Sequence, residues 1–458
     1  MSQHITYTRY KKCISSKTFF FWGCSAWLIT VSQLSLAQEA GQTLDERVQE
    51  LEHQLEKLNT EKGQKNDAII GKVRSGRVGF ESVDGDFSFR LNGRMLLDTA
   101  WADGDGRDLG QETNFRAVRL AAFGKMYRDW LYKIQYDFTG TGESGLKDAY
   151  LQYGGFQWDD KQLTLSVGNQ FQPFGLQGRQ SSKYYTMMEV PAPTELLGQG
   201  ARRMGVRADL YSDLWNFSAG VAQRVPGSDS PQDGDDPIDV SARLFFDPVN
   251  TNGNLISIGA SVRRQWSKGS NSFRERARPE TRVDGFRPLD TLAVNPAELG
   301  SARTDGFTAA GVSLAYTDGP LNLMTEYLWR KYDELEEAGT FSGAEPTYTG
   351  AYVESTYFLT GETRPYSHAT GGFGPPKPHN PLSAGGMGAW AATARLSTLD
   401  MDDEGIDAGK MDIVQVGLDW YPEQRIRYIL NAGKAYVTSG PNEDVDPAFV
   451  QARVQFEF

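Results

Sequence analysis

Basic side chains recur along this chain, each on the polar side of an alternating apolar and polar stretch. Arg94, Arg119, Lys125, Lys133, Arg203, Arg207, Arg243, Arg395 and Arg427 stand this way. Arg90, Arg224, Arg263, Arg330 and Arg453 share their parity. Guanidinium groups offer paired donors to oxyanions and stay charged at every accessible pH. A series of them along a wet wall attracts an anion without one deep trap, as conduction requires. Further candidates, Arg179, Lys183 and Arg202, lie in the long connection 172–202, beside Glu189 and Glu195. Acids share the polar parity as well: Asp98, Asp137, Asp148, Asp209, Glu326 and Glu354. A balanced wall that passes solutes without regard to charge is therefore the alternative to an anion-attracting one.

Other chemistries find little support. Gly140, Gly142 and Gly145 match G-x-G-x-x-G, but dinucleotide binding needs a helix to follow. Residues 146–153 read as a strand, and a phosphate loop would need Lys where Leu146 stands. Acidic clusters at 103–108, 229–236 and 400–407 fall in expected outer loops, where solvated carboxylates are ordinary. His53, His368 and His379 are the histidines left outside the N-terminal leader. None sits on a strand in register with a nucleophile. No enzyme activity, cofactor or metal is expected.

The elements that must position the basic residues are strands. In 449–458, Val450, Ala452, Val454, Phe456 and Phe458 alternate with Gln451, Arg453, Gln455 and Glu457. Side chains alternate across a strand, so this one has an apolar and a charged face. The same alternation recurs in sixteen stretches between 87 and 458. It predicts an all-β fold: a sixteen-stranded antiparallel transmembrane barrel with a wet interior. On its lipid face a guanidinium near the midplane would cost about 2–4 kcal/mol, which assigns the charges to the lumen. Short connections such as 128–129, 318–319 and 422–423 alternate with long ones at 172–202, 225–237 and 267–305. Counting strands puts 360–386 among the short connections, yet it is long and rich in Gly and Pro. It is expected to fold into the barrel mouth.

Residues 1–37 read as a secretory signal peptide. Arg9, Lys11, Lys12 and Lys17 precede an apolar run from Phe19 to Val31 and small residues near Ala37. Both cysteines, Cys13 and Cys24, lie inside it, so no disulfide is expected beyond it. The chain has 47 basic and 59 acidic residues. Removing four basic leader residues leaves 43 against 59, a net charge of −16, which argues against nucleic-acid binding. In 38–75, Leu44, Val48, Leu51, Leu55 and Leu58 follow the spacing of a coiled-coil seam, and 63–76 reads as a linker. Residues 76–458 form the barrel domain.

The run from Tyr357 to Tyr366 resembles a hallmark of the phosphate-selective porins O and P. Gly388 to Trp390 with Ala394 to Asp400, and Gly417 to Pro422, are similar to two more. Upstream, Leu146 to Leu151, Val167 to Gly175 and Ser181 to Glu189 also match, in order, over roughly 80–458. Where that family often has a basic residue after the glutamate, this chain has Val190. The resemblance implies an outer-membrane diffusion channel for small anions, phosphate or polyphosphate, in a homotrimer with a periplasmic N-terminal extension. It further implies that 172–202 and 360–386 fold inward to narrow the pore. Resemblance to other barrels makes Phe458 a signal for the outer-membrane barrel assembly machinery. A barrel serving mainly as an envelope tether, held through the coiled coil, is the alternative in a different class.

Overall fold

The structure is a computed structural model that describes residues 44–66, 68–74, 77–198, 202–223, 225–227, 236–251 and 253–458. Residues 1–37, expected to be a signal peptide, Arg224 and most of 225–237 lie outside the described residues. The chain divides into two compact units, 1–68 and 69–458. Within the first, helix α1 spans Leu44–Asn66 and leaves Val48, Leu51 and Leu55 exposed.

The second unit is a closed barrel. Its strands are β1 (Ser88–Gly104), β2 (Arg107–Met126), β3 (Trp130–Asp137), β4 (Leu146–Trp158), β5 (Lys161–Phe171), β6 (Arg202–Tyr211), β7 (Trp215–Ala222) and β8 (Ile238–Thr251). There follow β9 (Asn254–Ser272), β10 (Arg303–Asp318), β11 (Leu321–Tyr332), β12 (Thr347–Phe358), β13 (Ala389–Asp403), β14 (Ile406–Glu423), β15 (Ile426–Val437) and β16 (Ala448–Glu457). Each pairs antiparallel with the next, and β16 closes on β1 in the register Ala452 to Thr99 and Glu457 to Arg94. Each of the sixteen expected strands is present.

The burial is inverted relative to a water-soluble sheet. On β13, Arg395 is 1% exposed while its neighbour Leu396 is 59% exposed. On β16, Gln451, Arg453, Gln455 and Glu457 are buried, whereas Val450, Phe456 and Phe458 face outward. An apolar outside and an ionic inside satisfy the backbone within the ring and present hydrocarbon to lipid. Aromatic rings gather near the end that carries the barrel's N- and C-terminal strand ends, where Trp390, Trp420 and Tyr428 stack with centroids 5.5 and 5.2 Å apart.

Three expectations change. Residues 63–76, expected to be a linker, continue α1 to Asn66 and enter a strand at Ile69. That strand, Ile69–Arg74, pairs with Arg77–Ser82, which adds to the start of β1. Alternating Ile69, Val73, Val78 and Phe80 supply the β-forming face. The acidic clusters at 103–108 and 400–407 are not loops. The strands run on to tight turns whose Gly106 and Gly405 take positive φ. Connection 267–305 is shortened, because β9 extends to Ser272 and 273–302 turns inward.

Closure brings the chain's last residue onto a glycine. Gly93 N donates to Phe458 O (3.0 Å) and Phe458 N to Gly93 O (3.1 Å). A Cβ at Gly93 would come within 2.1 Å of the Phe458 ring. Gly93→Val should therefore unseat Phe458 and cost about 1–3 kcal/mol. The check is a lower temperature for loss of the folded, heat-modifiable band on electrophoresis.

Candidate functional site: a strapped lumen

The connection 172–198 crosses the barrel interior, and its sequence explains why. It carries few charges of its own, so backbone groups must find partners on the wall. Leu176 N (2.6 Å) and Gln177 N (3.1 Å) donate to the Glu326 carboxylate of β11. Thr186 donates its hydroxyl to Glu354 of β12, and Met188 N reaches Asn431 Oδ1 of β15 (2.8 Å). Guanidinium groups take its carbonyls. Arg427 donates to Tyr185 O (2.5 Å), Arg453 to Met188 O (2.7 Å), Arg395 to Glu189 O (3.0 Å) and Arg330 to Leu196 O (2.6 Å).

Those arginines are neutralised at the same time. Arg395 meets Glu354 (2.6 Å) and Glu280 (2.8 Å), Arg427 meets Asp419 (2.8 Å), and Arg453 meets Asp98 (2.6 Å). Glu280 belongs to the third inward segment, 273–302, and also accepts from Ala192 N (3.0 Å). Arg282 of that segment pairs with Glu189 at 2.9 Å, as does Arg116 at 2.8 Å. Burial alone would raise the Glu189 carboxyl, but Arg116 and Arg282 hold it well below the usual carboxylate range.

The connection 359–388 also turns inward, as its length led one to expect. Arg364 donates to Asn322 Oδ1 (3.0 Å) and Tyr184 O (2.7 Å). His368 is held by Asp247 and the Ser212 carbonyl. Arg243 clamps two inward segments together, donating to Gly175 O (3.0 Å) and to Thr370 O.

What remains open lies against the opposite wall. Two adjoining cavities share Arg94, Arg119, Phe171, Ser181 and Arg202 in their linings. The larger, of about 490 Å³, adds Lys133, Arg179, Lys183 and Arg207. The smaller, of about 220 Å³, adds Arg116 and Lys147. Nine cations therefore line the pair, against two carboxylates, Asp148 and Glu189. Partners set back from the lining offset some of this charge. Arg119 pairs with Asp137 (2.6 Å), Arg179 and Arg207 with Asp209 (2.9 and 2.8 Å), and Lys183 with Glu457 (2.7 Å). Asp148 serves both Lys133 (2.5 Å) and Arg202 (2.7 Å). Arg94 and Lys147 differ: Lys147 donates to Ser144 O (2.8 Å), while Arg94 donates to Ser181 Oγ (3.1 Å) and its Nε has no partner among the described residues.

Of the basic residues that the sequence singled out, Arg94, Arg119, Lys133, Arg179, Lys183, Arg202 and Arg207 come together here. Lys125 lies apart, 3.8 Å from Glu81. Arg203 turns to Gln223 O (3.1 Å) and Asp239 (3.7 Å), lining neither cavity. Arg243, Arg395 and Arg427 are the anchors described above. Sequence parity missed Arg116 and Lys147 because each is the extra residue of a β-bulge. The register slips from Leu96–Ala117 to Leu97–Phe115, and from Gln135–Asp148 to Tyr136–Leu146. A bulge inserts one residue and resets alternation, with no signature that two-residue periodicity detects.

A closed sixteen-stranded barrel, apolar outside, ionic inside and crossed by an inward loop, is an outer-membrane porin. The family described as phosphate-selective porin O and P matches residues 89–458, and the chain belongs to it. It is similar to Porin O of Pseudomonas aeruginosa, with 28% identity over 85% of this chain and 92% of that one. An uncharacterized protein of Caulobacter vibrioides is also 28% identical, over 77% of this chain and 69% of its own length. Among solved structures, Salmonella typhi OmpF in complex with daunomycin covers 82% of this chain and 100% of its own. Its TM-score is 0.50 at 11% identity, a likeness of fold alone.

Breaking one anchor should be costly. Arg395→Met would leave Glu280 and Glu354 buried without their cation, worth about 3–5 kcal/mol of barrel stability. A matching drop in the denaturant midpoint of detergent-solubilised protein checks this.

Proposed function

We propose that this porin passes small oxyanions, phosphate among them, along the two adjoining cavities beside β1–β6. The observation that carries this reading is the lining itself, nine cations against two carboxylates. With the set-back acids Asp137, Asp209 and Glu457 included, cations still exceed anions. Such an excess in a narrow, low-dielectric passage raises the local anion concentration and repels cations. Arg94, at the junction of the two cavities and without an ion-pair partner among the described residues, has charge to offer a solute. The paired cations and Lys147 form a graded series on either side, so a bound anion can move on.

Around this channel, residues 38–75 serve as a periplasmic extension whose apolar seam on α1 assembles the homotrimer, and 76–458 serve as the pore domain. Phe458, seated against Gly93 at the end of the closing strand, serves barrel assembly. Exposed Val48, Leu51 and Leu55 support the first role. Deleting 42–62 should lower the trimer fraction in crosslinking and leave single-channel conductance in place.

The reversal potential of purified protein in a planar bilayer under a KCl gradient tests the anion reading, and a cation-selective value sinks it. Arg94→Glu should lower the anion-to-cation permeability ratio roughly tenfold. A charge reversal ~5 Å from the path is worth about 1–2 kcal/mol even at water-like dielectric. Arg203→Glu, which turns away from the cavities, should change the ratio far less.

A further inference from the structure

We infer that the larger cavity is built for oxyanions that carry an aromatic or planar body, and not for inorganic anions alone. This rests on the anion-passage reading above and narrows it to a solute class.

The two cavities share Arg94, Arg119 and Arg202 but differ in their rings. The smaller is lined by Phe171 and Tyr185, and it reaches Ser144 and Pro226 at the end of the barrel opposite Phe458. The larger is lined by five aromatic side chains: Phe123 from β2, Tyr150 from β4, Phe171 from β5, Tyr184 from the inward loop and Phe373 from the inward turn. Five separate segments thus contribute rings to one chamber. Its volume, about 490 Å³, lies within the roughly 300–1,000 Å³ of pockets that enclose drug-sized ligands.

An inorganic anion gains from the cations of this chamber but nothing from its rings. The face of an aromatic ring carries the negative end of its quadrupole, which disfavours a bare anion beside it. Here most of the rings already bear a cation. Arg202 lies 3.8 Å from the centroid of Phe171, Lys183 4.6 Å from Tyr184, Arg364 4.5 Å from Phe373 and Arg90 5.9 Å from Phe123. Alternating guanidinium planes and rings make surfaces on which a second planar group can stack. A solute such as an aryl phosphate could direct its oxyanion to Arg94 and Arg119 while its ring lies among Phe123, Tyr150 and Phe171. Charge then selects at the smaller cavity, and the larger one adds affinity for the body of the solute.

The test uses full-length protein reconstituted in planar bilayers. It measures the concentrations of inorganic phosphate and of phenyl phosphate that halve the chloride conductance. Phenyl phosphate should act at a roughly tenfold lower concentration, as stacking on one or two rings supplies. In Phe123→Leu/Tyr150→Leu, checked for a folded heat-modifiable barrel, that advantage should fall toward parity. Phosphate block without any advantage for phenyl phosphate overturns this inference and leaves anion passage standing. An advantage that persists undiminished in the double variant overturns the assignment to these rings. Cation selectivity with block by neither compound overturns the anion reading itself.

Discussion

Guanidinium groups of the β11–β16 wall that donate to backbone carbonyls of the inward loop are the contacts on which the interior depends. A loop inside a barrel faces a hard constraint. Its N–H and C=O groups have left water, and no neighbouring strand is present to pair them. Here Arg330, Arg395, Arg427 and Arg453 supply donors, while Glu326, Glu354 and Asn431 supply acceptors. Each guanidinium can do this because it has more donors than its carboxylate partner uses. The ion pair keeps the charge tolerable, and the remaining N–H groups hold the loop.

This division of labour makes the lumen two-sided. The β11–β16 wall is closed by the loop, by segment 273–302 and by an apolar cluster that includes Phe174, Leu197, Leu289 and Tyr348. The β1–β6 wall stays open, and its cations line the cavities of the proposed anion path. Arginines that look alike in the sequence therefore do different work. Arg395 is wholly enclosed between Glu280 and Glu354, whereas Arg94 meets a single hydroxyl.

Much of the fold was legible because a transmembrane barrel is a strict reader of two-residue periodicity. Lipid on one side and water or protein on the other enforce alternation at every strand, so Leu396 and Arg395 announce opposite faces. The inward turn 359–388 was legible for a related reason. A long Gly- and Pro-rich segment at the end where every other connection is short had to be accommodated somewhere. Segment 273–302 gave no such signal, because long connections are expected at its end of the barrel.

Alternation along the chain thus determined the strands, their number, their faces and the inward placement of the arginines. It could not say which arginines would remain available. That depended on how three distant segments fold into one lumen, since Glu189 and Glu280, carried on two of them, meet Arg116 and Arg395 only there. Nor could alternation find Arg116 and Lys147, whose inward turn comes from bulges set by pairing with β1 and β3. Ion pairing and register are properties of neighbours in space, and a residue's charge is spent or left over according to who those neighbours are.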